Sequence, residues 1–140
     1  MKKVAFIFPG QGSQTIGMGK DFFENSELAK EMISKASERL GIDFEKLLFE
    51  ENENLGKTEF TQPAILLVSS IANAIFKEKC NITPEFVLGH SLGEFSALVS
   101  AGALDYLDAV ELVHRRGLFM TEACSGGGAG MMALVGIDDA

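Results

Sequence analysis

Cysteine, histidine, basic residues and long apolar runs are all scarce in this chain of 140 residues, and each scarcity narrows what it can be. Only two cysteines occur, Cys80 and Cys124, far apart and with no second pair at metal-ligand spacing. A structural zinc site and a disulfide framework are thereby excluded, and two free thiols point to a reducing, cytoplasmic compartment. Lys and Arg number 12 against 20 Asp and Glu, a net charge of −8 with no basic stripe, which argues against nucleic-acid binding. The densest cationic cluster is His114-Arg115-Arg116. No segment approaches the roughly 18 consecutive apolar residues of a membrane span. The opening Met1-Lys2-Lys3 and apolar Val4–Phe8 look briefly like a signal peptide, but Pro9-Gly10-Gln11-Gly12 ends the run without a cleavage site.

What is present is an ordinary globular composition, 46% hydrophobic and 23% charged, in a chain long enough for one core. Val4–Phe8 and Phe86-Val87-Leu88 are short continuous apolar runs bounded by turn residues, the pattern of strands buried on both faces. Between them, Asn25 or Ser26 caps a helix with Leu28, Met32, Ala36 and Leu40 on one face and Gly41 as its stop. Asp43–Glu53 reads as a short helix and a surface loop. Thr61-Gln62-Pro63 reads as a helix start, proline being tolerated in a first turn, and 64–76 as a central buried helix. Glu94–Ala101 forms a further helix, and Asp105 or a neighbour caps a longer one running to about Cys124. Ser125–Gly130 is linker-like, Met131–Val135 reads as another strand, and Asp138-Asp139 as a helix cap. Alternating strands and helices predict an α/β domain with a mainly parallel sheet and a site at the carboxyl ends of its strands.

Gly89-His90-Ser91-Leu92-Gly93 fits the G-x-S-x-G nucleophile elbow, with an apolar strand before it and a helix after it. Glycines on both sides relieve a tight turn, and the serine is presented at a helix N-terminus, where free N–H groups favour developing negative charge. The Leu92 N–H is placed to serve an oxyanion hole. Ser91 with Glu94 equally matches the S-x-x-E capping box, so from these residues alone Ser91 is either a nucleophile or a helix cap.

The motif has company. Phe8-Pro9-Gly10-Gln11-Gly12-Ser13-Gln14, Thr61-Gln62-Pro63-Ala64, Gly89-His90-Ser91-Leu92-Gly93-Glu94 and Arg116-Gly117 occur in an order and spacing that resemble the malonyl-CoA:acyl-carrier-protein transacylase family. The resemblance implies the N-terminal part of an α/β-hydrolase-like acyltransferase domain, at residues 1–124. It implies that residues 125–140 are a linker and the first strand of a small ferredoxin-like subdomain, where the chain stops. It further implies transfer of a malonyl group from malonyl-CoA to the phosphopantetheine thiol of acyl carrier protein, in fatty-acid biosynthesis, with no cofactor and no metal. On that resemblance Ser91 carries the acyl group, and Gln11 and Leu92 supply the oxyanion-hole amides. Arg116 binds the free malonyl carboxylate, as a planar guanidinium can through two parallel hydrogen bonds. His90 and Gln62 support the site without reacting.

A serine nucleophile needs a general base, and the chain has only His90 and His114. His90 at an elbow position does not have to reach Ser91, and His114, two residues before Arg116 on one helix, reads as a surface residue pointing elsewhere. In the family resembled, the catalytic histidine lies well downstream. The alternatives are a catalytically silent unit that folds, oligomerises or binds carrier protein, and a serine esterase of α/β-hydrolase type with water as acceptor.

Overall fold

The structure is a computed structural model that describes residues 3–127 together with Met132 and Gly136. Its two apolar runs lie side by side. Strand β1 (Ala5–Phe8) and strand β2 (Phe86–Gly89) pair in parallel, Ala5 opposite Phe86 and Phe8 opposite Gly89. Parallel pairing requires a long crossover. Here it contains α1 (Lys20–Asn25), α2 (Glu27–Leu40), α3 (Phe44–Phe49), a 3-10 turn at Asn54–Gly56 and α4 (Thr58–Lys79). After β2 come α5 (Gly93–Ser100) and α6 (Tyr106–Ala123). The α/β expectation with a parallel sheet holds at this level. The strand expected at 131–135 and the cap at Asp138-Asp139 lie outside the described residues, Met132 excepted.

Local chemistry sets most helix ends. The Ser26 hydroxyl accepts from the Ala29 N–H at 3.3 Å and Gly41 closes α2 at φ 65°, a conformation that suits glycine. Asp43 caps α3 at 3.1 Å, and Asp105 caps α6 at 2.8 Å from the Leu107 N–H. Helix α2 buries Ala29, Met32, Ile33 and Ala36, a stripe at spacings of three and four, against α4. Helix α3 is less superficial than its acidic surroundings suggest, because Phe44, Leu47 and Leu48 all enter the core.

Helix α4 runs through the centre, with residues 61–67 all buried. By length and composition alone it could cross a membrane, contrary to the expectation that no segment comes near doing so; its apolar surface is spent on this core. It also begins earlier than expected, at Thr58, so that Pro63 is its sixth residue and lies beyond the first turn.

The strands depart from the expectation of burial on both faces. Side chains alternate across a sheet, and only the face bearing Phe6, Phe8 and Val87 is covered. Phe6 meets Phe76 of α4 edge-on at 5.3 Å. The opposite face carries Ile7, Phe86 and Leu88, which remain 73%, 62% and 50% exposed. Among the described residues no third strand extends the sheet.

Candidate active site

The path from β2 into α5 is as tight as the glycine spacing suggests. A Cβ on Gly89 would collide with the Gly93 backbone, and one on Gly93 with the Phe8 carbonyl. A Cβ on Gly10 would collide with the His90 carbonyl. The loop after β1 and the turn after β2 are therefore in backbone contact, which only glycines at these positions permit. The turn is closed by the Gly93 N–H donating to the His90 carbonyl at 2.9 Å and the His90 N–H donating to the Phe8 carbonyl at 3.0 Å.

Ser91 sits at the apex with φ 53°, the one non-glycine residue at positive φ among those described. For an L-residue that conformation costs about 1–2 kcal/mol. The capping-box alternative is not what forms. The residue in the cap position of α5 is Leu92, and no side chain caps that helix end. Ser91 is exposed, while Leu92 directly behind it is fully buried.

Two backbone amides near this serine are uncommitted. Around Gln11 the loop uses its neighbours: the Gly12 N–H donates to the Gln14 side chain at 2.8 Å and the Ser13 N–H to the Gly10 carbonyl at 3.3 Å. The N–H groups of Gln11 and Leu92 have no protein acceptor among the described residues. That of Leu92 lies at a helix start, where amides lack intrahelical acceptors.

The side chains of Gln11, Gln62 and Arg116 form a connected relay. Arg116 Nη1 donates to Gln62 Oε1 at 2.8 Å. Gln62 Nε2 reaches Gln11 Oε1 at 3.4 Å and Met120 Sδ at 3.3 Å, and Gln11 Nε2 donates to Thr58 Oγ1 at 3.2 Å. The Arg116 guanidinium lies over the Phe95 ring at 5.7 Å, and Phe95, in the first turn of α5, stands four residues after Ser91. No carboxylate pairs with Arg116 among the described residues, whereas Arg115 pairs with Glu111 at 2.7 Å. The cationic run 114–116 is thus divided between separate partners. Thr58, Phe95 and Met120 went unnoticed in the sequence. Thr58 and Met120 each stand four residues from a named site residue on the same helix (Gln62 and Arg116), and Phe95 stands four residues after Ser91, which precedes α5, so spacing could have found them.

His90 is exposed, backs onto Gly10 and makes no hydrogen bond to Ser91 among the described residues. His114 corrects an expectation. It is half-buried rather than a surface residue, and its Nδ1 lies 2.7 Å from the Glu59 carbonyl oxygen. That contact ties its Nδ1 to the backbone of α4.

Comparison with known proteins identifies the family. The acyl transferase domain family matches residues 5–139. The malonyl CoA-acyl carrier protein transacylase of Bacillus subtilis is 50% identical over 139 residues, which are 99% of this chain and 44% of that protein. The crystal structure of the malonyl-CoA:acyl carrier protein transacylase from Helicobacter pylori superposes with a TM-score of 0.87 at 52% identity, over 89% of this chain and 41% of that one. A malonyl-transacylase solved in complex with its type II polyketide acyl-carrier protein superposes with a TM-score of 0.83 at 41% identity, over 87% of this chain and 40% of that one. The chain therefore spans less than half the length of the relatives it matches. With the elbow, the free amides and the arginine relay all lying inside the matched residues, the chain belongs to the acyl transferase domain family.

Proposed function

We propose that this chain is the N-terminal part of a malonyl-CoA:acyl carrier protein transacylase and that Ser91 is its acyl-carrying nucleophile. The observation that carries the reading is the Ser91 backbone, held at φ 53° between a strand and a helix where no cap requires it. Strain of that kind persists only where the surroundings impose it, and it aims the hydroxyl outward from the turn.

In the first half-reaction the Ser91 Oγ attacks the thioester carbonyl of malonyl-CoA. The Oγ–C bond forms, and the amides of Gln11 and Leu92 donate to the resulting oxyanion. The C–S bond then breaks, coenzyme A leaves as its thiol, and malonyl-Ser91 remains. In the second half-reaction the phosphopantetheine thiol of acyl carrier protein attacks that ester and Ser91 regains its proton. Arg116 pairs with the free malonyl carboxylate, and Gln62 orients the guanidinium. The proton carrier is a histidine outside these 140 residues, on the family resemblance. The solved complex of a related transacylase with its carrier protein supports that acceptor. The same reading makes residues 1–124 part of a hydrolase-like domain and residues 125–140 the entry to a ferredoxin-like subdomain. Two free cysteines, one of them exposed, accord with a cytoplasmic enzyme.

A second reading concerns the 140-residue chain by itself. With no base hydrogen-bonded to Ser91 among the described residues, that chain alone is catalytically silent. The complete protein incubated with malonyl-CoA should gain one malonyl mass on Ser91, seen by intact-protein and peptide mass spectrometry. No adduct, or an adduct that survives Ser91→Ala, would overturn the assignment. Rapid transfer to water in place of carrier protein would favour an esterase.

A further inference from the structure

Pro63 is the sixth residue of α4, past the positions where a missing N–H is harmless. It cannot donate to the carbonyl four residues earlier, and that carbonyl belongs to Glu59. The gap is filled from another helix: His114 Nδ1, on α6, lies 2.7 Å from the Glu59 oxygen. A carbonyl only accepts, so Nδ1 carries the hydrogen and donates it. Glu59 meets α6 at two further points. A Cβ on Gly117 would stand 2.6 Å from the Glu59 Cα, and Thr121 Oγ1 donates to the Glu59 carboxylate at 3.0 Å. Residues 114, 117 and 121 share one face of α6. On the adjoining face, Arg116 and Met120 meet Gln62, three residues after Glu59.

These three contacts restrain the helix pair differently. Close packing at Gly117 limits how far apart the helices sit, but it is non-directional and leaves α6 free to slide or rotate. The Thr121 bond joins two side chains and is exposed. The His114 bond is directional, half-buried and made to a backbone atom. We infer that His114 is a positioning residue for Arg116: by donating into the break that Pro63 opens in α4, it fixes the register of α6 and with it the angle at which the guanidinium meets the acyl carboxylate. This rests on the reading of Arg116 as the carboxylate-binding residue.

The test compares malonyl-CoA and acetyl-CoA as acyl donors for the complete protein. Four forms are needed: wild type, His114→Leu, His114→Asn and the double variant His114→Leu/Pro63→Ala. Loss of the donor should lower kcat/KM for malonyl-CoA about tenfold, mainly through KM, while changing acetyl transfer less than about twofold, since small misplacements of a positioning group are costly. Asparagine, whose side-chain N–H occupies nearly the place of Nδ1–H, should restore most of the malonyl preference. The double variant gives α4 back its own hydrogen bond, so it should recover melting temperature yet keep the lowered malonyl:acetyl ratio. A wild-type ratio in the double variant would reduce His114 to a structural plug and overturn the inference, as would asparagine performing no better than leucine. If leucine alone prevents folding, the double variant supplies the same comparison. Absence of Ser91 acylation in the wild type would sink the proposed function and this inference together. A normally acylated wild type with an unmoved ratio in the variants sinks this inference alone.

Discussion

Among the described residues Arg116 meets only neutral groups, the Gln62 carboxamide oxygen at 2.8 Å and the Phe95 ring at 5.7 Å. A carboxylate in the place of Gln62 would hold the guanidinium equally well but would cancel its charge. Gln62 is fully buried, and its nitrogen is engaged by Gln11 and Met120, so it cannot swing away. An arginine has five N–H donors in a planar fork, and one of them is committed among the described residues. An incoming malonyl carboxylate meets a cation already oriented and not yet neutralised, whereas an acetyl group leaves that cation unanswered. Arg116→Ala should therefore lower kcat/KM for malonyl-CoA by about tenfold to a hundredfold, from the roughly 1.5–3 kcal/mol carried by hydrogen bonds to a charged group. Acetyl transfer should change little, and Arg116→Lys should not rescue, because lysine lacks the fork. Equal losses with both donors would remove the assigned role. The three residues of the relay could be named from the family resemblance. Their coupling could not, because Gln62 stands 51 positions from Gln11 and 54 from Arg116, and no local spacing rule reaches that far.

Helix α6, which carries Arg116, is fastened to α2 through an ionic cluster. Arg39 donates to Asp108 and to Glu111, each at 2.8 Å, and Arg115 donates to Glu111 at 2.7 Å. Hydrogen bonds from Arg39, and then from Arg115, hold the Glu111 carboxyl below its ordinary range. A carboxyl depressed in the folded state contributes stability that is present above its unfolded pKa of about 4.3 and is lost as pH falls through the folded value. Because the cluster is largely exposed, salt should screen it as well. Arg39→Ala should lower the melting temperature of the complete protein modestly at pH 7 and low salt. The difference from wild type should shrink below about pH 4 and in about 1 M salt; a difference constant from pH 7 to pH 3 would exclude Glu111 ionisation as its source. Elements whose ends depend on neighbouring residues were legible in the sequence, as at Ser26, Gly41 and Asp105. Helix α1 was not, because at six residues it is too short to show an apolar period, although Phe22 and Phe23 pack against the core. The start of α4 was misjudged for a different reason. The rule confining proline to a first turn assumes that the freed carbonyl has no other donor, and His114, 55 positions away, provides one.

At the scale of the whole molecule, the composition of β1 and β2 states a requirement that these residues do not meet. Apolar side chains at every position mark strands of a parallel sheet covered on both faces, yet Ile7 and Leu88 are register partners on the bare face, beside Phe86. The sequence of a strand shows that it needs cover without showing which residues provide it. This chain spans 44% of its Bacillus subtilis relative and 41% of the Helicobacter pylori structure; on the proposed reading of it as the N-terminal part of a longer transacylase, the rest of that protein would supply the partner layer. A contiguous apolar face of this kind promotes self-association and dye binding when exposed. The 140-residue chain expressed alone should bind a hydrophobic fluorophore and sediment as more than a monomer at micromolar concentration. Ile7→Thr/Leu88→Thr should reduce both effects, because threonine keeps β propensity while removing apolar area. In the complete protein the same pair should instead destabilise, by about 1.5–3 kcal/mol for each apolar side chain whose burial is lost. That reversal of sign is the discriminating result. If the double substitution were neutral in the complete protein, the bare face would be a true surface and the strands would owe their apolar character to something other than a missing layer.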